Sequence, residues 1–187
     1  MSWLEIADSV DLDLPAIFQA MSLKPEALEQ VKRLNETLAF GASGLSRARE
    51  EAIATVVAAV NQCRYEALTH AGFLRKQVSD SALVSNLLYD YSKVMLEPRD
   101  QQMLEYVARL SWAPSSVGKV ELEALRDAGF SDEEILSIVL VACLANFMDR
   151  LANALGVDVP PAYVKQARQW LTGPITQEAW VCEAREG

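Results

Sequence analysis

Apolar residues recur every three or four positions along most of the chain, and the runs are separated by short punctuation rather than by hairpin turns. Leu28, Val31, Leu34 and Leu38 keep that spacing between Pro25 and Phe40, where Gly41-Ala-Ser-Gly44 stops the run. Ser46 then fits an N-cap, and Glu50 and Glu51 sit early in the following helix, where its dipole favours acids. From Ile53 to Val60 that helix is apolar nearly all round, which marks it for the core. Asn61 interrupts it. Asn is weak inside helices and strong at their caps, so the pattern predicts a new helix from Gln62 to about Lys76 with Asn61 as its N-cap.

Further helices are expected from Asp80 to about Tyr91, from Arg99 to Trp112 behind Pro98, and from Lys119 to Ala128 before Gly129. Ser131 and Glu134 form a capping box that opens a long apolar helix, running to about Leu155 and meeting Gly156. Pro160-Pro161 opens a last helix to about Leu171, closed by Gly173-Pro174. The tail, 175–187, has no pattern and is expected to be peripheral. The fold class expected is all-α: a single-domain helical bundle over residues 1–187, since no Pro/Gly/Ser-rich linker divides the chain.

Composition narrows the range of partners. Of 187 residues 51% are hydrophobic, and Lys plus Arg number 17 against 26 Asp plus Glu, a net charge of −9. No basic cluster occurs, so neither nucleic acid nor an anionic membrane is an expected partner. The apolar runs, the longest Ile135 to Asn146, are short for a bilayer. The N-terminal stretch carries acids where an export signal carries Lys or Arg, and three cysteines are an odd number, so a reducing, cytoplasmic setting is expected. The excess of apolar helix surface predicts a homo-oligomer.

The candidate chemistry gathers on the helix after Asn61. His70, the one histidine, lies seven residues after Cys63 and four after Glu66, so the three share a helix face. Near a helix start, unpaired backbone N–H groups would stabilise a thiolate at Cys63, and His70 with Glu66 would move protons for its attack. Glu51 stands twelve residues before Cys63 and reaches it only if the chain folds back after Val60. A metal held by Cys63, Glu66 and His70 would have no second His or Cys as ligand, so no metal or cofactor is expected. Taken as ordinary residues, Cys63 is packing and Glu51 an acid in a first helical turn.

The stretch from Glu51 to His70 resembles the core motif of the carboxymuconolactone decarboxylase and alkylhydroperoxidase D superfamily, and of its peroxidase-related branch in particular. That motif is a Glu, a Cys twelve residues on, a Tyr (here Tyr65), a second Cys three after the first, and a His four further. The likeness extends through Leu96–Ser111, Ala124–Ile135 and the Phe147–Val157 stretch. It implies an all-α fold, symmetric oligomers, and two cysteines cycling between dithiol and disulfide with Glu and His relaying protons. The chain departs where Glu66 replaces the second Cys. Cys143, inside the long apolar helix, reads as packing, and Cys182 as an exposed thiol of the tail. Asp149 stands where that branch has Asn beside its Arg, and a structural Asp149–Arg150 interaction is expected.

The resemblance thus implies a peroxidase-like enzyme in which Cys63 reduces a hydroperoxide, Glu51 and His70 relay protons, and an external thiol reductant recycles the sulfenic acid. Two alternatives stay open: an acid–base enzyme acting on a small lactone or keto acid through Glu51, Glu66 and His70, or a non-catalytic member.

Overall fold

The computed structural model describes residues 2–183, and among these every regular element is helical, with no strand. Ten α-helices follow one another: α1 Ala16–Gln19, α2 Pro25–Leu38, α3 Arg47–Val60, α4 Arg64–Gln77, α5 Ser81–Asp90, α6 Pro98–Trp112, α7 Lys119–Asp127, α8 Asp132–Leu155, α9 Pro161–Trp170 and α10 Ala179–Cys182.

Helix α3 is the axis of the bundle, packed by α4, α5, α6 and α8. Ser46 Oγ accepts from the Arg49 N–H at 3.3 Å, satisfying one of the amides a helix start leaves unpaired. Further along, Ile53, Val56, Val57 and Ala58 are wholly buried, as a helix apolar on every side requires. Its end has a specific geometry. The Gln62 N–H reaches Ala59 O at 3.1 Å and the Cys63 N–H reaches Ala58 O at 2.9 Å, the two bonds of a Schellman motif. Gln62 takes the left-handed position, with φ 48°.

That turn corrects the expected boundary. Asn61 closes α3 rather than capping the next helix, and the N-cap of α4 is Cys63. The Asn61 side chain is spent on α8 instead, donating to Asn146 Oδ1 at 3.0 Å and to Asp149 Oδ2 at 2.7 Å. The fold-back itself is present: α4 returns along α3.

The capping box of α8 forms as the sequence predicts, with Glu134 N–H donating to Ser131 Oγ at 3.2 Å and Ser131 N–H to Glu134 Oε2 at 2.9 Å. Gly156, at φ 64°, ends the helix, and the Trp3 ring lies so close that a Cβ there would come within 2.2 Å of it. By length and composition α8 is the one helix among the described residues that is apolar enough to cross a bilayer, so the expectation of only short apolar runs understated it. One face packs against α3; the stripe Leu136, Leu140, Cys143 and Phe147 is exposed. Cys143 is therefore not core packing, as expected from its apolar helix, because it falls on the outward stripe.

Both ends of the described chain pack onto the bundle. Residues 2–24 form an arm that carries α1, whose Ile17 and Phe18 are buried. The tail is integrated rather than peripheral: Ile175 and Val181 are buried, and the Arg64 Nε–H donates to Val181 O at 2.8 Å. Cys182 is half-buried with its thiol donating to Thr176 O at 3.0 Å, not an exposed thiol. Residues 184–187 of the expected tail lie outside those described.

Candidate active site

Three of the four candidate residues meet around His70. Nδ1 donates to Glu51 Oε2 across the α3–α4 hairpin at 2.7 Å, and Nε2 lies 3.0 Å from Glu66 Oε2, one helical turn earlier on α4. Both ring nitrogens thus face carboxylate oxygens, and both carry protons. Burial lowers the imidazole's pKa, but bonding to Glu51 and Glu66 outweighs it and pushes it up to about 10. His70 is an imidazolium at neutral pH.

The two carboxylates differ in what else holds them. Glu51, 3% exposed in its side chain, also accepts a close ion pair from Arg47 through Oε1. Arg47 sits four residues before Glu51, a spacing that signals an ion pair on a helix. Its guanidinium lies 4.5 Å from the Phe40 ring centroid and 5.7 Å from that of Phe73. Glu66, 7% exposed, spends Oε2 on His70, while Oε1 is buried and accepts no hydrogen bond from the described residues. Arg47 and His70 supply two positive charges against the two of Glu51 and Glu66, so the cluster is neutral as a whole.

The imidazolium and Glu66 reach a cavity of about 390 Å³. Its walls come from α1 and the arm before it, from Phe40, from Phe73 on α4, from Met148 on α8 and from Tyr163 on α9. Phe40 has φ 60°, an uncommon backbone position for a side chain of that size. Glu50 fixes the loop that follows, accepting from the Gly41 N–H at 2.6 Å, the Ser43 N–H at 3.1 Å and the Ser43 hydroxyl at 2.6 Å. A second cavity, about 50 Å³, is lined by Glu51, Glu66, His70 and Met148 among others.

Cys63 is the candidate the site leaves out. It is wholly buried, lines neither cavity, and has no hydrogen bond to Glu51. Burial pushes its thiol far above the usual range, the nearby Asp149 carboxylate adds to this, and the Glu66 N–H opposes it only in part. The expected thiolate stabilised by a helix start is thus outweighed by desolvation.

Asp149 is the residue that sequence reasoning misplaced. The expected Asp149–Arg150 interaction is absent: Arg150 Nη1 donates to Asn146 O at 3.0 Å and to Asn146 Oδ1 at 2.6 Å, because successive helix positions point to different faces. Asp149 points inward, wholly buried, with Oδ1 accepting no hydrogen bond among the described residues. Burial raises its pKa to about 7. Among the described residues no group of three His, Cys, Asp or Glu side chains is arranged to hold a metal ion.

Solved structures share this architecture. The chain is 25% identical to an uncharacterized peroxidase-related protein from Ralstonia eutropha JMP134 that forms an alkylhydroperoxidase AhpD core, with a TM-score of 0.74, covering 80% of this chain and 79% of that one. It is equally 25% identical to an uncharacterized peroxidase-related protein from Silicibacter sp. TM1040, TM-score 0.74, over 86% of this chain and 97% of that one. The debrominase Bmp8 shares the fold at 14% identity and a TM-score of 0.70, over 85% of this chain and 84% of its own. No protein-family model matches the sequence, and neither does any curated protein.

Proposed function

Since the chain is an alkylhydroperoxidase D-like protein of the peroxidase-related branch, we propose that it works its site by acid–base chemistry, moving a proton on a small molecule held in the cavity beside Glu66 and His70. One observation carries the reading: position 66, where the family's second thiol would stand, is a carboxylate that lines the cavity, while Cys63 does not. Glu66 is the proton acceptor, because Oε1 is its uncommitted oxygen. A proton leaves a carbon next to a carbonyl for Glu66, the electron pair left behind forms the enolate, and a proton, exchanged with solvent while it resides on Glu66, returns to that carbon or to the carbon conjugated with it. The fixed imidazolium offsets the negative charge that develops. Glu51, paired with Arg47, holds the imidazolium in place.

The likeness to peroxidase-related structures favours a second reading. There the Cys63 thiolate attacks a hydroperoxide oxygen, the O–O bond breaks, an alcohol leaves, and an external thiol reduces the sulfenic acid. One experiment separates the two. Proton–deuterium exchange into a panel of small lactones and ketones is followed by NMR beside peroxide consumption with a thiol reductant, for wild type, Cys63→Ser, Glu66→Gln and His70→Ala. Acid–base chemistry requires exchange that survives Cys63→Ser and is lost in the other two. Peroxide turnover lost in Cys63→Ser, without exchange in wild type, overturns it.

A further inference from the structure

The charge and shape of the cavity beside Glu66 and His70 restrict what it admits. At about 390 Å³ it lies at the small end of small-molecule sites. Ile17, Phe18, Phe40, Phe73 and Met148 give it largely apolar and aromatic walls, interrupted by the neutral polar side chains of Gln19, Asn35, Tyr65, Thr69 and Tyr163. The charged residues lining it are Asp13, Glu66 and His70, and no Lys or Arg joins them among the described residues. His70 has no free donor, since each ring nitrogen is bonded to a carboxylate. An anion entering here would give up its hydration beside two carboxylates, with only neutral polar groups and no free cation to receive it.

A positively charged guest fares little better. Two of the aromatic faces that could hold it are engaged, Phe40 by Arg47 at 4.5 Å and Phe73 by Lys76 at 5.5 Å. It would also sit beside the imidazolium. What the site lacks is a hydrogen-bond donor for Glu66 Oε1, which is buried and unpartnered.

We infer that the cavity binds a small, uncharged, ring-sized apolar molecule carrying one O–H or N–H donor directed at Glu66, and that it excludes carboxylate anions. The inference rests on Glu66 as the working acid–base group of the site and sharpens that reading: of the substrates first considered, a neutral lactone fits when it carries a hydroxyl and a keto acid anion does not.

The test is calorimetric binding to the full chain with four probes built on one ring: phenol, benzoate, benzylammonium and toluene. Phenol is expected to bind at least about tenfold more tightly than each of the others. Glu66→Gln removes the carboxylate charge and is expected to shrink the phenol-to-benzoate ratio by about tenfold. Equal or tighter binding of benzoate or benzylammonium overturns the inference, and so does failure of phenol to bind wild type. Because binding is read without turnover, the proton-transfer reading can survive the loss of this one, and the reverse holds if phenol binds but no deuterium exchange occurs.

Discussion

Asp149 sets its carboxyl against the Cys63 thiol from α8, and Asn61, two residues before that cysteine, holds the carboxyl by a 2.7 Å bond to Oδ2. The thiol is thus enclosed by an acidic group and by the hairpin that carries it, and burial first, then the Asp149 charge, raises the cost of its ionised form. Alkylation of native protein is expected to leave Cys63 unmodified at neutral pH, with labelling paced by unfolding, while denatured protein labels at all three cysteines. Mass spectrometry of each thiol reads this out; fast labelling of native Cys63 would restore it as a nucleophile.

The same carboxyl makes a pH-dependent contribution to stability. Its folded pKa of about 7 stands above the ordinary 3.8, so between those values the folded state holds a proton that the unfolded chain has lost. Stability therefore falls as pH rises through that window. Asp149→Asn removes the fall, and the variant is expected to exceed wild type by roughly 1–3 kcal/mol near pH 8 with little difference near pH 4. Urea unfolding at the two pH values measures it.

His70 acts in the same direction, at higher pH. Its pKa is raised from 6.5 to about 10, so its stabilisation is complete below 6.5 and is lost as pH rises toward 10. With one histidine in the chain, its imidazole signals are unambiguous in an NMR titration. Wild type is expected to titrate near pH 10, and Glu66→Gln at least about one unit lower, since one of the two charge partners is gone. Identical titration curves would show that Glu66 does not hold the ring.

Glu66→Cys would put a thiol three residues from Cys63 in the first turn of α4, at the cavity. Residues so spaced can approach disulfide distance, and a carboxylate cannot resolve a sulfenic acid. Wild type is expected to show little peroxide turnover with a dithiol reductant, and the variant at least about tenfold more. Equal turnover would mean that the carboxylate is not what separates this chain from a dithiol peroxidase.

The outward stripe of α8 predicts self-association. Leu136 is 58% exposed and Phe147 45%, with Leu140 and Cys143 between them at helical spacing, an apolar patch of the kind that marks contact surfaces. Light scattering at micromolar concentration is expected to give at least a dimer, and Leu140→Glu with Phe147→Glu a single-chain mass. A monomeric wild type counts against it.

The features legible in the sequence were those written locally. The Ser131–Glu134 capping box and Gly156 marked both ends of α8, and the spacing of Glu66 and His70 put them on one face. Asn61 announced the break after α3 but not its register, because the left-handed position fell on Gln62, a residue that carries no such signal. Cys63 looked exposed to chemistry because helix periodicity says which residues share a face, not how deep that face lies. Asp149 is 86 positions from Cys63 in a chain with no local pattern to connect them; only the packing of α8 against the hairpin brings them together. The arm before α2 had no period to read, being held by single bonds such as the Ala7 N–H to Ser22 Oγ at 2.9 Å.

That arm divides the labour of the site. The proton-handling groups stand on α3 and α4, built into the core, whereas one wall of the cavity is lent by residues 12–19, clasped to the bundle by Trp3 over Gly156 and by the Trp3 N–H to Leu155 O at 2.7 Å. Changes of length or residue in the arm leave the buried ion cluster untouched and reshape the chamber before it. A lineage could therefore exchange guests by editing one surface ribbon, with the reactive residues inherited unchanged.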